Sequence, residues 1–477
     1  MRKRTVIFIK KVAKLNTKLL LLPAFFIVFQ LYAEADMKKI DSLNRIISNQ
    51  TGRERIETLI YLSELYRDIS PGKSLETDTL AINYAEKAGL KNMKGVILVS
   101  MGKTASLSGD YPLALKYLNE AVRALEQIEN YTELCRAYIN TGLVYKNLAD
   151  YQNAIVYYDK ASELARKANL KDQLASSVTN RATIYFSTGD YNKAAENYRQ
   201  AMQLYQELND SLRYAVLTMN LGLVYWQWNK SDLALEMMME AMQVFEMKKQ
   251  YVELGKVYNN IGKIYYQDFK DTTKALEYYE RSLAMRELIG NQLGMSVVLA
   301  NIGNIYRDKL DLSKAFNYFK RSLSISKTIG YKEGEALAYY YLGMANKQNK
   351  NFQLSNIYLD SCLAIARQHN LRMYNDLVNE AKMTNYFSLQ DYDSFLTEYK
   401  VFSAGYDSTR KALAASEFKE SNSAKRLSEL DQEINNLKDS LHSRSNALLG
   451  FQLISALLAG ALIVLIFFLL RAKKKTS

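Results

Sequence analysis

The stretch INTGLVYKNLADYQNAIVYYDKA (139–161) contains two apolar patterns separated by an Ala-Asp-Tyr turn signal. Related segments recur as MNLGLVYWQWNKSDLALEMMMEA (219–241) and NIGNIYRDKLDLSKAFNYFKRS (301–322). Self-similarity at a fixed period is typical of repeat architectures, in which each copy is one structural unit. The sequence therefore predicts a chain assembled from copies of a single helical motif.

A small residue marks the same place in each copy, at steps of 40, 40, 40, 40, 41 and 40 residues. These small residues are Gly102, Gly142, Ala182, Gly222, Gly262, Gly303 and Gly343. In five of the copies a tyrosine follows three positions later, at Tyr145, Tyr185, Tyr225, Tyr265 and Tyr306. The second half of each copy spaces alanine, aromatic and alanine in a helical period. Each copy is therefore predicted to be a pair of helices that approach closely at the small residue.

Gly142, Tyr145, Ala154, Tyr158 and Ala161 match the pattern of the tetratricopeptide repeat one by one, and the chain resembles this family over roughly three-quarters of its length. Two departures are a step of 40 residues instead of about 34, and the absence of the proline that usually closes each unit. The longer step resembles the repeats of kinesin light chains, spindle-orientation adaptors and bacterial peptide-sensing regulators. The resemblance implies an all-α fold, a right-handed superhelix with a concave channel.

We predict that the array occupies 36–402 and holds about nine helix pairs. The units are expected near 55–90, 95–130, 135–170, 175–210, 215–250, 255–290, 296–330, 336–370 and 376–402.

Asparagine recurs in register on the first helices, on the side away from the predicted core. We call Asn140, Asn180, Asn220, Asn260 and Asn301 the asparagine column. Asparagine is a poor helix former, so its recurrence needs a reason. One interpretation is a ladder of amides that binds the backbone of an extended peptide, and the family resemblance implies this use. The other is that these side chains bond neighbouring helices and are structural.

Further candidate contacts for a peptide or partner lie beside this column. They are Lys146, Asn147, Phe186, Trp226, Gln227, Tyr266, Gln267 and Arg307. Aromatic side chains at such places would add contact area for a bound ligand.

The two ends of the chain predict export and membrane anchoring. Residues 1–35 have the basic and apolar regions of a signal peptide, and 447–470 form an uncharged apolar run followed by a basic tail at 471–477. Because basic flanks stay cytoplasmic, we expect a single-pass protein of the bacterial cytoplasmic membrane with its array in the periplasm.

Residues 403–446 are expected to form a helical coiled-coil stalk that could pair two chains as a homodimer. Its seam would be Leu427, Leu430, Ile434, Leu437 and Leu441, although a solvated amphipathic helix is the alternative. The order of array, coiled coil and membrane helix resembles the sensor half of membrane regulators from Bacteroidetes. In that family a histidine kinase or helix-turn-helix domain follows, and no such segment occurs in this sequence.

Composition argues against other functional classes. The net charge of +13 is concentrated at the two ends, and residues 36–470 carry 52 basic and 49 acidic side chains, so no nucleic-acid surface is predicted. The chain has two cysteines and two histidines and no catalytic or metal-binding motif. We therefore expect a protein without cofactors and without enzymatic activity that binds a protein or peptide. The alternative is a sensor subunit whose output domain is on a separate protein.

Overall fold

The structure, a computed structural model, describes residues 38–401. This part of the chain forms 19 helices and no strand, with α1 over 38–47 and α19 over 392–401. The helices between them are α2 Gly52–Ile69, α3 Pro71–Lys87, α4 Lys91–Leu107, α5 Tyr111–Glu126, α6 Tyr131–Asn147, α7 Tyr151–Lys167, α8 Lys171–Ser187, α9 Tyr191–Glu207, α10 Ser211–Gln227, α11 Ser231–Met247, α12 Tyr251–Gln267, α13 Thr272–Leu288, α14 Gln292–Asp308, α15 Leu312–Thr328, α16 Lys332–Gln348, α17 Phe352–Gln368 and α18 Met373–Ser388. The predicted all-α helical repeat is confirmed.

The turns between helices share one construction, which the connection from α6 to α7 illustrates. Ala149 adopts a left-handed conformation with φ of 59°, and the Asp150 N–H donates to the Tyr145 carbonyl at 2.9 Å. The Asp150 carboxylate accepts the Asn153 N–H at 3.1 Å and so caps α7. The same side-chain cap occurs at Asp110, Asp190, Asp210, Asp271 and Asp311. This need for a cap explains why aspartate recurs at the turns.

The first compact unit extends to Asn349 and stacks antiparallel helix pairs. Within it α2 packs on α3, α4 on α5, α6 on α7, α8 on α9, α10 on α11, α12 on α13 and α14 on α15. Each second helix also packs on the first helix of the next pair, as α7 does on α8. First helices touch one another as well, for example α4 with α6 and α6 with α8. The first helices therefore form the inner side of this unit, as in other helical solenoids.

Close approach within a pair depends on the small residue of the first helix. A Cβ atom on Gly142 would lie 2.6 Å from the ring of Tyr158, and one on Gly262 would lie 2.7 Å from the ring of Tyr279. Only glycine leaves room for these buried rings. The other predicted packing positions, Gly102, Ala182, Gly222, Gly303 and Gly343, are also buried.

The tyrosines that lie three positions after the small residues contact other aromatic and basic side chains. Ring centroids lie 5.4 Å apart in Tyr145–Tyr157, 5.7 Å in Tyr265–Tyr278, 5.5 Å in Tyr306–Tyr318 and 6.5 Å in Tyr225–Trp228, and the Lys193 ammonium lies 5.3 Å from the ring centroid of Tyr185. Such pairs stabilise packing beyond the area that they bury.

The single step of 41 residues corresponds to one extra residue in the turn between α12 and α13, which spans 268–271. The carboxylate of Asp268 accepts hydrogen bonds from Trp226 Nε1 and from Ser231 Oγ, both at 2.7 Å. The longer turn therefore connects its own helix pair to the preceding one.

The second compact unit begins at Lys350, and its described part contains α17, α18 and α19. Asn385 of α18 donates to Ser355 Oγ at 2.8 Å and to Asn356 Oδ1 at 2.7 Å on α17. Lys382 is also buried, and its ammonium pairs with Asp360 at 2.8 Å and with Glu398. Asn385 and Lys382 thus join α18 to α17, and Lys382 also joins it to α19.

The predicted membrane location is wrong for the part of the chain that the structure describes. No helix within 38–401 is both long enough and apolar enough to cross a bilayer. The physical reason is that most of these helices have 17 residues and expose a charged face, whereas a span needs about 20 apolar residues. The predicted signal peptide (1–35), stalk (403–446), membrane helix (447–470) and tail (471–477) lie outside the described residues.

Candidate functional site

A groove of about 460 Å³ runs across the inner side of α2, α4, α6 and α8. Its walls are Ile60, Glu64, Arg67, Val96, Val99, Ser100, Lys103, Glu133, Arg136, Ile139, Asn140, Asp172, Gln173 and Ser176. A hollow of about 540 Å³ elsewhere is lined by α15 alone and encloses a ligand less well. The groove on the first helices is therefore the candidate site, and we call it the inner groove.

Helical spacing brings the groove residues of α6 to one face. Glu133, Arg136 and Asn140 are three and four residues apart, so their side chains lie above one another along the helix. Neighbouring first helices present residues at equivalent places, which is why four helices can line one continuous surface.

The inner groove carries balanced charge. Its acidic residues are Glu64, Glu133 and Asp172, and its basic residues are Arg67, Lys103 and Arg136. Glu133 pairs with Arg136 at 2.5 Å, and burial raises the pKa of the Glu133 carboxyl, while Arg136 opposes that rise. Asp172 pairs with Arg213 of α10. Such a surface suits a ligand that has both hydrogen-bond donors and acceptors.

A cluster of polar side chains is buried behind the groove, between α2, α3 and α4. It consists of Ser63, Arg67, Ser74, Asp78, Ser100 and Thr104. Arg67 donates to Ser100 Oγ at 2.8 Å and to Thr104 Oγ1 at 3.2 Å.

Neither carboxylate oxygen of Asp78 has a hydrogen-bond partner of normal geometry. Burial raises the pKa of the Asp78 carboxyl to about 7, and the nearby Ser63, Ser100 and Arg67 oppose this only in part. Arg67 and Ser100, which oppose this rise, also line the groove.

The structure places the five residues of the asparagine column on first helices, all partly buried, but in different surroundings. Asn140 lines the inner groove, and neither its side chain nor that of Asn220 makes a hydrogen bond within residues 38–401. The Asn180 amide donates to the Ser176 carbonyl of its own helix at 2.9 Å. The amide of Asn301 donates to Asn259 Oδ1 at 3.0 Å, and Asn260 Oδ1 accepts from Asn259 at 3.5 Å.

The residues predicted beside the column also divide into two groups. Trp226, Tyr266 and Arg307 are engaged within the array: Trp226 bonds Asp268, while Tyr266 and Arg307 both bond Asp308. Phe186 packs on Tyr191 with centroids 6.3 Å apart. Asn147, Gln227 and Gln267 are exposed, and Lys146 is partly buried. Their role in binding stays a prediction.

Sequence reasoning missed most of the charged groove residues, among them Arg67, Lys103, Glu133 and Arg136. A signal was present, because Glu133 and Arg136 lie seven and four residues before Asn140 and so share its helical face. Extending the helical wheel of α6 by two turns toward its N-terminus would have identified Glu133 and Arg136.

No group of three or more His, Cys, Asp or Glu side chains that could hold a metal ion is found among residues 38–401. Cys135 and Cys362 are buried, and burial raises the pKa of the Cys135 thiol to about 11. A thiol in that state is a poor nucleophile at neutral pH.

Among solved structures, the apo form of the quorum sensor NprR from B. thuringiensis aligns with a TM-score of 0.53 and 15% identity, covering 78% of this chain and 99% of that one. A signal transduction ATPase with numerous domains (STAND) from Pyrococcus horikoshii, PH0952, has a tetratricopeptide repeat sensor. It aligns with a TM-score of 0.55 and 14% identity, covering 76% of this chain and 54% of that one. At these identities the likeness shows the fold alone.

No curated protein matches the sequence of this chain. The family model described as tetratricopeptide repeat matches residues 94–167, 173–247 and 253–328. The helix pairs from α4 to α15 are therefore an array of tetratricopeptide repeats.

Proposed function

We propose that this protein binds an extended peptide or a protein tail in the inner groove, without a catalytic step. The observation that carries the proposal is the course of the groove, which crosses four first helices and has a volume of about 460 Å³. A ligand lying across successive helices would contact all four at once. Binding sites on other solenoids are extended concave surfaces of this type.

The chemistry of the groove supports a peptide as the ligand. The Asn140 amide offers a donor and an acceptor that no residue of the described chain occupies. A peptide backbone presents the complementary groups at regular intervals. With three acidic and three basic side chains, the groove lacks the excess of positive charge that binds a polyanion such as a nucleic acid.

Selection from a random peptide library displayed on phage tests the proposal with the full-length chain. Peptides that are enriched should lose affinity for the double variant Lys103→Ala/Asn140→Ala by about tenfold, since it removes one charge and one amide from the groove.

A matched control replaces the same two residue types on the outer helix α5, as Lys116→Ala/Asn119→Ala. Both control residues are exposed and lie outside the groove, so affinity should stay at the wild-type value. Failure to enrich any peptide, or equal losses in both double variants, would refute the proposed function.

A second candidate function is that of a sensor subunit, which binds its ligand in the groove and passes the signal to a separate protein. It is supported by the two aligned structures, one of which is a quorum sensor and the other a protein with a tetratricopeptide repeat sensor. A selected peptide that changes the small-angle X-ray scattering of the chain would favour this function over simple docking.

A further inference from the structure

Two side chains of opposite charge type are buried in one cluster behind the inner groove, and they do not pair. Asp78 of α3 is 0% exposed, and Arg67 of α2 is 7% exposed. Within residues 38–401 Asp78 forms no ion pair, and the Arg67 guanidinium donates to the hydroxyl groups of Ser100 and Thr104. The hydrogen-bond partners of this buried cation are therefore neutral.

A protonated Asp78 explains this arrangement. A carboxylate moved from water into an enclosed site costs much free energy unless it is paired or hydrogen-bonded, and neither oxygen of Asp78 has such a partner. The surrounding hydroxyls bond one another, with Ser63 Oγ 2.9 Å from Ser74 Oγ and Ser74 Oγ 3.1 Å from Thr104 Oγ1. The geometry fits a carboxyl that keeps its proton, and burial accordingly raises the pKa of Asp78 to about 7.

The charges that act on Asp78 come from α2. Arg67 favours the ionised form of Asp78, and Glu64 opposes it. On α3 itself Lys73 and Glu76 are exposed and so are screened by water, while α4 faces the cluster with hydroxyl groups. Loss of the proton would therefore create a buried carboxylate that attracts Arg67 strongly, because the interior has a low dielectric constant.

Arg67 connects this cluster to the groove. It is held at the groove wall by Ser100, and both residues line the cavity. A guanidinium that turned toward an ionised Asp78 would leave that wall. The two protonation states of Asp78 thus correspond to two positions of a side chain that the ligand contacts.

From this cluster we propose that Asp78 and Arg67 form a pH-dependent switch of the inner groove. When Asp78 is protonated, Arg67 stays on the groove wall and donates to a carbonyl oxygen of the bound peptide; when Asp78 is ionised, it draws the guanidinium inward. The inference rests on the proposed function, because it concerns the regulation of the same groove. Since the ligand then favours the protonated form, affinity falls as pH rises through the pKa of Asp78.

A rhodamine-labelled peptide from the phage selection tests the switch by fluorescence anisotropy with the full-length chain. Wild-type affinity should fall by up to about tenfold between about pH 6 and about pH 8. Asp78→Asn cannot ionise, so at both pH values it should bind with the affinity that the wild type has at the lower one. Asp68→Asn, which removes an exposed carboxylate of α2, should keep the wild-type dependence.

Glu133 is the competing titratable group, because it lines the groove and burial raises the pKa of its carboxyl too. Whatever its affinity, Glu133→Gln should keep the fall between the two pH values. If Glu133→Gln loses the fall and Asp78→Asn keeps it, the switch is refuted. A wild-type affinity that does not change with pH also refutes the switch, but it leaves the proposed peptide groove standing.

A measurement without ligand separates the switch from the proposed function. The Nε–Hε resonance of Arg67 in the NMR spectrum, assigned by its absence in Arg67→Lys, should shift between about pH 6 and about pH 8 in the wild type and stay fixed in Asp78→Asn. If no library peptide binds, the proposed function fails and this resonance decides alone. A shift confined to the wild type then supports the switch, whereas no shift, or an equal shift in Asp78→Asn, refutes it.

Discussion

Single residues determine how closely the helices pack and where an ionisable group is buried. Gly142 and Gly262 admit a tyrosine ring where any side chain would collide, so the pattern of small residues in the sequence is a direct record of helix contact. Asp78 is the opposite case, a carboxyl enclosed without a bonded partner. The sequence around Asp78 did not predict its burial, because the residues that enclose it come from three separate helices.

The substitution Asp78→Asn should flatten the dependence of stability on pH. In the folded chain burial raises the pKa of Asp78 to about 7, well above the ordinary value of an aspartate, so the folded state holds the proton more tightly than the unfolded state. The free energy of unfolding should therefore fall as pH rises from about 4 to about 7. Urea denaturation should show the variant to be more stable by about 2 kcal/mol at about pH 8, with the difference vanishing near pH 4.

Asp68→Asn is the control for this experiment, because it neutralises an exposed carboxylate on the same part of the chain. It should leave the slope between pH 4 and pH 7 as in the wild type. An unchanged slope in Asp78→Asn would show that this carboxyl does not titrate between those values.

At the scale of the element, the repeated turn explains which predictions succeeded. The aspartate caps and the glycine–tyrosine spacing are local, so a period of 40 residues was enough to predict helix pairs. The contacts of the asparagine column were harder to predict, because a helical wheel shows the face on which a side chain lies but not its distance from the next helix. Asn301 reaches Asn259 across that gap, whereas Asn140 faces an open groove.

Leu310→Gly should stabilise the turn between α14 and α15. Leu310 has φ of 61° and is 70% exposed, so it has a strained backbone and contributes little burial. Glycine adopts this conformation without steric cost, and the free energy of unfolding should rise by roughly 1 kcal/mol.

The control Leu288→Gly removes an equally apolar side chain, 55% exposed, at the end of helix α13. It should lower the urea midpoint, because glycine disfavours helix. If both variants lower the midpoint, loss of apolar surface outweighs backbone strain at residue 310.

At the scale of the whole molecule, the main helix contacts within residues 38–349 join elements that are one or two apart in sequence. Stability there should therefore behave as a sum of local contributions. Because the contacts join helices that are close in sequence, the repeat pattern was enough to predict the fold class. The inner groove did not, because it forms only where four first helices meet, and no single repeat contains it.

Gly262→Ala should therefore destabilise the array locally. The added Cβ would meet the ring of Tyr279 at 2.7 Å, and such overpacking costs roughly 2 kcal/mol. Hydrogen exchange followed by mass spectrometry should show faster exchange in α12 and α13 and wild-type exchange in α2 and α3.

Gly72→Ala provides the comparison, because a Cβ there meets nothing within 4 Å. Its exchange should match or fall below that of the wild type. A uniform increase along the chain in Gly262→Ala would mean that the stack unfolds as one cooperative body.

The extra residue between α12 and α13 has a mechanical consequence. The Asp268 carboxylate fastens its turn to Trp226 and Ser231 of the preceding pair, whereas Leu148 and Thr188, the first residues of two earlier turns, carry no acid. Twisting one layer against the next must break two charge-assisted bonds at this turn, and the bond from Tyr266 to Asp308 links the following pair in the same way. Carboxylates therefore tie the successive layers from α10 to α15 together, and this part of the array should resist twisting.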